Sequence, residues 1–342
     1  MGGLVAAARA RELGASVTVY EKTGRAGGSM LLSGGYVWRY RDFDGFRAEC
    51  PSGDPELQRL VFERFDDALA WLEALGAPVL ERETGNPRTT GRRFDTGGLT
   101  DALAGRAGDI RLGAPLTALY TTTPVVLATG GFPADRALLR EHVTAEAEHL
   151  LVRAHGGNTG DGIRLALAHG ATASAGLDEI YGRNMPAPPA RVEPEGFRSL
   201  AQLYAAHARV TNAAGEAYEP RTWSEIDVVQ WTARQPGARA WYAVPDGALT
   251  ARVRDRTVGG MVEAARAAGA PVERRGRETV VEVVAGVTTT LGGLRVDGQA
   301  RAADGIYACG TDVGGISTGG YTSGLAAALV LGLVAAESAL EA

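Results

Sequence analysis

The first 21 residues place the strongest constraint on what this chain can fold into. Residues 4–13 have helical periodicity, with apolar side chains on one side and arginines on the other. Gly14 suits the end of that helix, and the β-branched residues 16–20 are typical of a short strand buried in a parallel sheet. Glu21 ends the strand. Helix, glycine, strand and acid in this order predict the second half of a dinucleotide-binding βαβ unit.

The phosphate-binding turn of such a unit is incomplete here. A GxGxxG sequence follows the first strand because its first glycine makes the turn and its second lets the backbone approach a pyrophosphate. This chain begins Met1-Gly2-Gly3, so only Gly3 matches the signature, and the preceding strand and leading glycines are missing. Glu21 follows Gly3 at about the spacing at which an acid reaches a ribose hydroxyl. A misplaced gene start, an omitted disordered segment and a truly shortened homologue would each explain the loss, and the omitted segment explains it most simply.

Length and composition are those of a globular protein with room for two domains. Of 342 residues, 45% are hydrophobic and 22% charged, and the net charge of −5 comes from interspersed acids and bases. Without a basic cluster, nucleic acid is not an expected partner. Residues 324–336 are apolar but too short to span a bilayer, so we expect a buried helix and no membrane association. No signal peptide is recognisable, which favours a cytoplasmic protein.

The cysteines and histidines give no pattern typical of a metal site or a disulfide framework. Cys50 and Cys309 form no CxxC pair, and Cys309 lies in an apolar run that predicts a buried, inert thiol. The 5 histidines lack metal-ligand spacing. No metal is therefore expected.

Seven segments, in order, carry a resemblance to a known family. They lie at residues 3–22, 27–38, 125–132, 158–171, 290–297, 306–315 and 319–337. Through them the chain resembles the FAD-dependent oxidoreductases of the fumarate reductase/succinate dehydrogenase flavoprotein superfamily. Its SGGYVW segment is closer to the 3-ketosteroid dehydrogenase branch. The resemblance spans nearly the whole chain, although the N-terminus is shortened.

The resemblance implies an α/β fold in two domains. A discontinuous Rossmann-like FAD-binding domain would comprise residues 1–172 and 286–342. An inserted α+β substrate or capping domain would comprise residues 173–285, the segment that matches least.

The resemblance also implies which residues hold FAD, bound without a covalent link since the glycine-rich loop contains no histidine. Glu21 would hold the adenosine ribose and Asp312 the ribitol hydroxyls. The amides opening the last helix would face the pyrimidine end of the flavin, where a helix N-terminus stabilises negative charge. The implied FAD contacts are Gly3, Glu21, Lys22, Gly27, Gly28, Ser29, Ser33, Gly34, Gly35, Ala128, Thr129, Gly130, Asp161, Gly310, Asp312, Ser323, Gly324 and Leu325.

Fumarate is not an expected substrate, because the cations that clamp a dicarboxylate are missing. Fumarate reductases carry histidine before a TxGG turn and arginine in the final loop. Here residues 288–290 are all threonine, and residues 316–321 contain neither histidine nor arginine. The proton-donating arginine is also missing from residues 223–227. Recognition of a dicarboxylate calls for such guanidinium groups.

Tyrosines are the candidates for proton handling beside the flavin. The ketosteroid dehydrogenase branch uses tyrosines as acid and base, and Tyr36 and Tyr321 are the corresponding candidates here, with Arg39 as a further one. A structural role explains Tyr36 and Arg39 equally well. The implied reaction moves a hydride between flavin N5 and a carbon next to an activating carbonyl, by dehydrogenation or by ene-reduction.

The composition of residues 173–285 favours an apolar small-molecule substrate, ring-shaped ones included. The aromatic residues behind this hypothesis are Trp223, Trp231, Trp241 and Tyr242. The electron donor or acceptor is unknown.

Two other classes of protein compete with this interpretation. The incomplete phosphate turn favours a degenerate, FAD-free homologue that acts as a binding or scaffold protein. Retention of Glu21, Asp161 and Asp312 favours the enzyme, because unpaired buried carboxylates are costly once their ligand is lost. An NAD(P)-only dehydrogenase would leave the distal glycine motifs unexplained.

Overall fold

In the computed structural model the chain forms two compact units, and the structure describes residues 1–119, 121–221 and 225–341. The first unit comprises Met1–Ala134, His155–Glu179 and Thr290–Ala342. The second unit comprises Asp135–Ala154 and Ile180–Thr289.

Helices and strands alternate along much of the chain. The helices are α1 (Gly2–Glu12), α2 (Phe43–Glu49), α3 (Pro55–Ala74), α4 (Thr96–Ala107), α5 (Arg136–Leu138), α6 (Asp161–Ala168), α7 (Ile226–Ala233), α8 (Val258–Ala267) and α9 (Gly324–Glu341). The strands are β1 (Thr18–Tyr20), β2 (Tyr36–Tyr40), β3 (Val79–Glu81), β4 (Thr89–Phe94), β5 (Asp109–Arg111), β6 (Val125–Leu127), β7 (Leu151–Val152), β8 (Ile180–Pro186), β9 (Arg209–Thr211), β10 (Arg239–Pro245), β11 (Arg252–Val253), β12 (Arg256–Thr257), β13 (Val272–Arg275), β14 (Glu278–Thr290), β15 (Arg301–Ala303) and β16 (Ile306–Ala308).

Among its described residues, the first unit contains three small sheets. Strands β1 and β5 pair in parallel, β16 pairs in parallel with β6 and antiparallel with β15, and β4 pairs antiparallel with β2 and β3. Helix α1 packs against α4 and α9. It approaches α9 so closely that a Cβ atom on Gly332 would lie 2.8 Å from the carbonyl oxygen of Gly2. The predicted α/β class with a Rossmann-like unit is confirmed.

Strand β1 is less buried than its sequence predicts. The sequence predicts a buried strand of a parallel sheet, and the parallel pairing with β5 is present. However, Thr18 is exposed and Tyr20 is 45% exposed. The reason is that, among the described residues, β5 is its only strand partner. A strand with one neighbour leaves one edge and part of its faces to solvent.

Helix α9 is longer than its apolar segment indicated. It continues through Glu337 to Glu341, so by length and composition it could cross a membrane, contrary to the expectation of a segment too short to do so. Yet 67% of its most apolar window is buried inside the protein, as in a core helix. The predicted burial of this helix is therefore confirmed. Cys309 and Cys50 are also buried as free thiols.

The second unit is built around the long strand β14. It pairs with β10 over residues 278–284 and with β13 over residues 278–281, and β7 and β8 pair with it as well. Helix α7 packs on β8.

This pairing moves both domain boundaries from their predicted positions. A boundary at residue 286 would cut β14, which runs unbroken to Thr290. Residues 135–154 were assigned to the cofactor domain but belong to the second unit, because β7 pairs with β14 at Gly286 and Val287. Residues 173–179, assigned to the insert, belong to the first unit.

Candidate functional site

Glu21 presents an unused carboxylate oxygen at the carboxyl end of β1. Its Oε1 accepts hydrogen bonds from the backbone N–H and the hydroxyl of Thr23, each at 2.8 Å. Within the described part of the chain its Oε2 has no hydrogen-bond partner, and the residue is partly exposed. A half-bonded carboxylate in this position fits the recognition of a ribose diol.

The glycine-rich loop after β1 is open on one side. A Cβ atom on Gly28 would meet no atom within 4 Å, so the backbone there leaves room for a ligand. The Ser29 hydroxyl accepts hydrogen bonds from the backbone N–H of His155 at 3.0 Å and from Asn158 Nδ2 at 2.9 Å. Its own proton has no acceptor among the described residues. The loop and residues 155–158 are therefore joined around a hydroxyl that can still donate to a phosphate oxygen.

Lys22, Thr159 and Asp161 form a closed hydrogen-bonded group. Lys22 Nζ lies 2.6 Å from Asp161 Oδ2 and 2.7 Å from Thr159 Oγ1, which donates to Asp161 Oδ1 at 2.9 Å. Burial acts to raise the pKa of Asp161, but the hydrogen bonds from Lys22 and Thr159 outweigh it, so this pKa lies below its ordinary value. Asp161 is thus held ionised with both oxygens engaged.

Asp312 is fully buried and bonded to the turn after β6. It accepts hydrogen bonds from the Thr129 backbone N–H, from the Thr129 hydroxyl at 2.9 Å and from the Gly131 N–H at 3.0 Å. Burial raises the pKa of its carboxyl group, against the hydrogen bonds that favour ionisation. The carboxylate of Asp312 thus accepts hydrogen bonds from residues 129–131 within the protein. Its predicted role in binding the ribitol hydroxyls stays a prediction.

The start of α1 reaches the same place. A Cβ atom on Gly3 would lie 3.0 Å from the Ala128 Cβ, and one on Gly2 would lie 2.8 Å from the Cys309 sulfur. Glycines let the helix approach the ends of β6 and β16. Gly310 directly follows Cys309 and begins the 3₁₀ turn that contains Asp312.

The N-terminus of α9 is open and is tied to β2. Ser323 Oγ donates to the Tyr36 carbonyl at 3.3 Å and accepts from the N–H groups of Trp38 at 3.4 Å and Ala326 at 3.2 Å. Gly324 is exposed, and a Cβ atom there would meet nothing within 4 Å. The first amides of this long helix, at Gly324 and Leu325, have no backbone acceptor among the described residues. They suit the electron-rich end of a flavin.

The segment Ser33–Gly35 makes a tight turn into β2. Ser33 Oγ donates to the Met30 carbonyl at 2.8 Å and accepts from the Gly35 N–H at 3.1 Å. Gly35 has φ +76°, and a Cβ atom there would collide with the Phe94 carbonyl oxygen. Only glycine fits. Tyr36 therefore follows the predicted flavin loop in a fixed position.

Tyr36 is engaged with a carboxylate that the sequence did not reveal. Its hydroxyl donates to Glu81 Oε2 at 2.6 Å, and Arg93 forms an ion pair with Oε1 of the same carboxylate. The Arg93 guanidinium lies 5.4 Å from the centre of the Tyr36 ring, and its Nε donates to the Gly34 carbonyl at 3.2 Å. The hydrogen bond to Glu81, opposed by burial, raises the pKa of Arg93. These three side chains lie on one face of the β2-β4-β3 sheet.

Tyr321 is near the same sheet face. Its ring packs edge-on against Trp38 with the ring centres 5.6 Å apart, and its carbonyl accepts from the Tyr40 hydroxyl at 2.6 Å. Gln58, which is fully buried, donates to the Ile316 carbonyl at 2.8 Å and holds the start of this loop. The structure therefore brings Tyr36 and Tyr321 to one sheet face. Tyr36 lies on that face itself, and Tyr321 packs against Trp38, two residues further along β2.

Arg39 lies on the opposite face of β2. Its guanidinium bonds to Asp66 of α3 at 2.6 Å and stacks over Phe62 at 4.6 Å from the ring centre. Because neighbouring strand residues point to opposite faces, it does not join Tyr36 and Trp38. These contacts are those of a residue that packs β2 onto α3.

The aromatic residues proposed for substrate contact are dispersed in the second unit. Tyr242 is fully buried, accepts from Asn184 Nδ2 at 2.9 Å and packs edge-on against Tyr204. Its place is the core of that unit. Trp231 and Trp241 are partly exposed. Trp223 lies outside the described residues.

Taken together, the groups of the first unit fit FAD. Glu21 offers a free carboxylate oxygen, Ser29 a free hydroxyl proton, Gly28 an open backbone, and α9 unbonded amides, which are the donors and acceptors that a ribose, a pyrophosphate and a flavin ring require. Among the described residues no group of His, Cys, Asp and Glu is arranged for a metal ion.

Comparisons with solved structures identify the same fold. The open conformation of a flavocytochrome c3 fumarate reductase matches with TM-score 0.74 and 18% identity, over 99% of this chain and 76% of that one. The 3-ketosteroid-Δ4-(5α)-dehydrogenase of Rhodococcus jostii RHA1, in complex with 4-androstene-3,17-dione, matches with TM-score 0.72 and 19% identity, over 99% and 94%. The 3-ketosteroid Δ1-dehydrogenase of Sterolibacterium denitrificans, in complex with 1,4-androstadiene-3,17-dione, matches with TM-score 0.73 and 17% identity, over 100% and 98%.

The fold and the site define a class of protein, the FAD-dependent oxidoreductases. Within it, the chain belongs to the FAD-binding domain family, whose sequence model matches residues 1–118 and 114–325. FAD is its cofactor. No curated protein sequence matches the chain.

Sequence reasoning missed the partners of the predicted residues. Glu81, Arg93, Asn158 and Gln58 all hold residues of the candidate site, yet each lies far along the chain from the group it holds. The one signal available was Asn158, which opens the glycine-rich segment at residues 158–162.

Proposed function

We propose that the protein moves a hydride between FAD and a carbon next to an activating carbonyl group of an apolar substrate. Cyclic ketones belong to this substrate class. The observation that carries this proposal is the hydrogen bond of Tyr36 to Glu81 at 2.6 Å, directly after the glycine turn of the flavin loop. Removing or adding a hydride beside a carbonyl requires a second group that moves a proton. A phenol held by a carboxylate is such a group.

The chain's own residues supply binding, orientation and proton transfer. FAD, when bound, supplies the hydride acceptor or donor at N5. The amides at the start of α9 stabilise negative charge at the pyrimidine end of the ring system. Tyr36 transfers the proton, and the hydroxyl of Tyr321 polarises the substrate carbonyl. Ser323, bonded to β2, keeps the helix end and Tyr36 in register.

The charges of the final loop support an uncharged substrate. Residues 316–321 contain no cation, so a dicarboxylate would find no guanidinium or imidazolium there. The two ketosteroid dehydrogenases named above were solved with steroid diones, and this chain covers 94% and 98% of their length. These matches support a carbonyl-bearing ring system as substrate class.

Three further properties belong to the proposal. FAD is bound without a covalent bond, an unidentified electron partner completes the reaction, and the protein acts in the cytoplasm. The absence of histidine from residues 24–35 supports the first of these.

An anaerobic half-reaction tests the proposed function. The FAD-loaded protein is mixed with saturated cyclic 3-ketones, or, after photoreduction, with cyclic enones and with fumarate, while flavin absorbance is followed. We expect a ketone to bleach the flavin or an enone to restore its colour, and fumarate to do neither. Tyr36→Phe should lower the observed rate by about 10²- to 10⁴-fold with FAD retained. Reoxidation by fumarate but by no enone would overturn the proposal.

A further inference from the structure

We propose that Glu81, oriented by Arg93, exchanges the proton of Tyr36 with solvent. This inference rests on the proposed function, in which Tyr36 transfers a proton. It assigns to Glu81 a relay role and to Arg93 a positioning role.

The geometry links a partly covered phenol to an accessible carboxylate. The Tyr36 hydroxyl lies 2.6 Å from Glu81 Oε2, within range for direct proton transfer. The side chain of Glu81 is 42% exposed, whereas that of Arg93 is 23% exposed. The carboxylate therefore has one oxygen on the phenol and enough open surface to meet water.

Arg93 fixes the orientation of that carboxylate. It forms an ion pair with Oε1 and leaves Oε2 to the phenol. Its Nε is bonded to the Gly34 carbonyl and its guanidinium lies against the Tyr36 ring, so one side chain joins the flavin loop, the phenol and the carboxylate. The register Tyr36↔Arg93 in the β2-β4 pair and Arg93↔Glu81 in the β4-β3 pair places them in one row across the sheet.

The proton balance is simple in both directions. In ene-reduction, the β-carbon would receive its hydride from reduced FAD, and the Tyr36 O–H bond breaks as a C–H bond forms at the α-carbon. The Glu81 carboxylate then takes a proton from water, which leaves hydroxide in the solvent, and passes that proton to the resulting phenolate. In dehydrogenation with FAD as oxidant, the phenol oxygen takes the α-carbon proton while its own proton passes to Glu81 and then to water.

A spectroscopic titration tests the coupling without any substrate. The near-ultraviolet difference absorbance between the protein and its Tyr36→Phe variant isolates the ionisation of Tyr36. In Glu81→Gln this ionisation should move to lower pH by about 1 unit or more, because the carboxylate that opposes a phenolate is gone while the Arg93 cation remains. Glu83→Gln, the same change at an exposed residue nearby, should leave it unmoved.

Kinetics test the relay. In Glu81→Gln we expect the turnover number with a cyclic substrate to fall about 10-fold, with KM unchanged and a larger solvent isotope effect, since proton exchange then limits turnover. In Glu81→Ala, added formate should restore part of the rate. Glu83→Gln should behave as the wild type.

The outcomes separate the two proposals. If the wild-type protein shows no hydride transfer with any cyclic ketone or enone, the proposed function fails. If it transfers hydride and Glu81→Gln has wild-type turnover, isotope effect and tyrosine ionisation, the relay is refuted and the proposed function stands. An unfolded Glu81→Gln protein is recognised by circular dichroism, in which case the formate rescue of Glu81→Ala decides.

Discussion

The hydroxyl of Thr129 donates to the carboxylate of Asp312 at 2.9 Å, and this bond ties the turn after β6 to the turn after β16. Two parallel strands that are neighbours in the sheet are thereby joined at their carboxyl ends, where cofactors bind in open α/β folds. Asp312 is buried and accepts hydrogen bonds from three donors, so we expect it above all to stabilise the folded protein.

Replacing Asp312 by alanine should destabilise the protein. The half-buried backbone N–H of Thr129 and the buried one of Gly131 would both lose their acceptor, which costs about 3 kcal/mol. Urea denaturation followed by tryptophan fluorescence, without FAD, measures this. Thr129→Val removes the hydroxyl that donates to Asp312 and accepts from the Gly162 N–H at 3.1 Å, and it should cost less, about 1–2 kcal/mol. An Asp312→Ala protein as stable as the wild type would refute the anchoring role.

Gly35→Ala should be among the most damaging single-methyl additions. The residue has φ +76° and the new Cβ would collide with the Phe94 carbonyl, so we expect a loss of on the order of 2–4 kcal/mol in unfolding free energy. Gly24→Ala, where a Cβ meets nothing within 4 Å, should change stability little. Equal midpoints in chemical denaturation for both variants would contradict the strain argument.

Glu21→Ala should weaken FAD binding. Loss of a charged hydrogen bond to a ribose hydroxyl corresponds to about 1.5–3 kcal/mol, or roughly a 10- to 100-fold rise in Kd. Quenching of flavin fluorescence on titration measures Kd. Because Glu21 also accepts from Thr23, Thr23→Val is needed as the control for loop distortion, and it should leave Kd near the wild-type value. An unchanged Kd in Glu21→Ala would show that this carboxylate does not touch the cofactor.

Asp161 should stabilise the fold in a pH-dependent way. Its pKa in the folded protein lies below the ordinary aspartate value, so its contribution is fully present above the unfolded pKa and is lost as pH falls through the folded pKa. The stability difference between the wild type and Asp161→Asn should therefore shrink as pH is lowered below the ordinary aspartate range. Denaturation curves at a series of acidic pH values test this. A stability difference between the two proteins that grows on acidification would contradict the prediction.

The sequence predicted local elements and missed long-range partners, for physical reasons. Helix α1, strand β1 and the position of Glu21 follow from periodicity and turn chemistry within about 20 residues. The bond of Tyr36 to Glu81 depends on the register of β2, β4 and β3, which no local pattern specifies. The predicted boundary at residue 286 differs from the boundary between the two compact units for a similar reason, because β14 continues through Gly286 to Thr290.

The visible absorption spectrum of the purified protein, incubated with FAD and passed through gel filtration, tests whether the protein binds FAD. We expect flavin bands to co-elute with the protein and acid precipitation to release them into the supernatant, as for a non-covalent cofactor. A folded protein that elutes colourless after incubation with FAD would contradict it and would favour an FAD-free binding or scaffold protein.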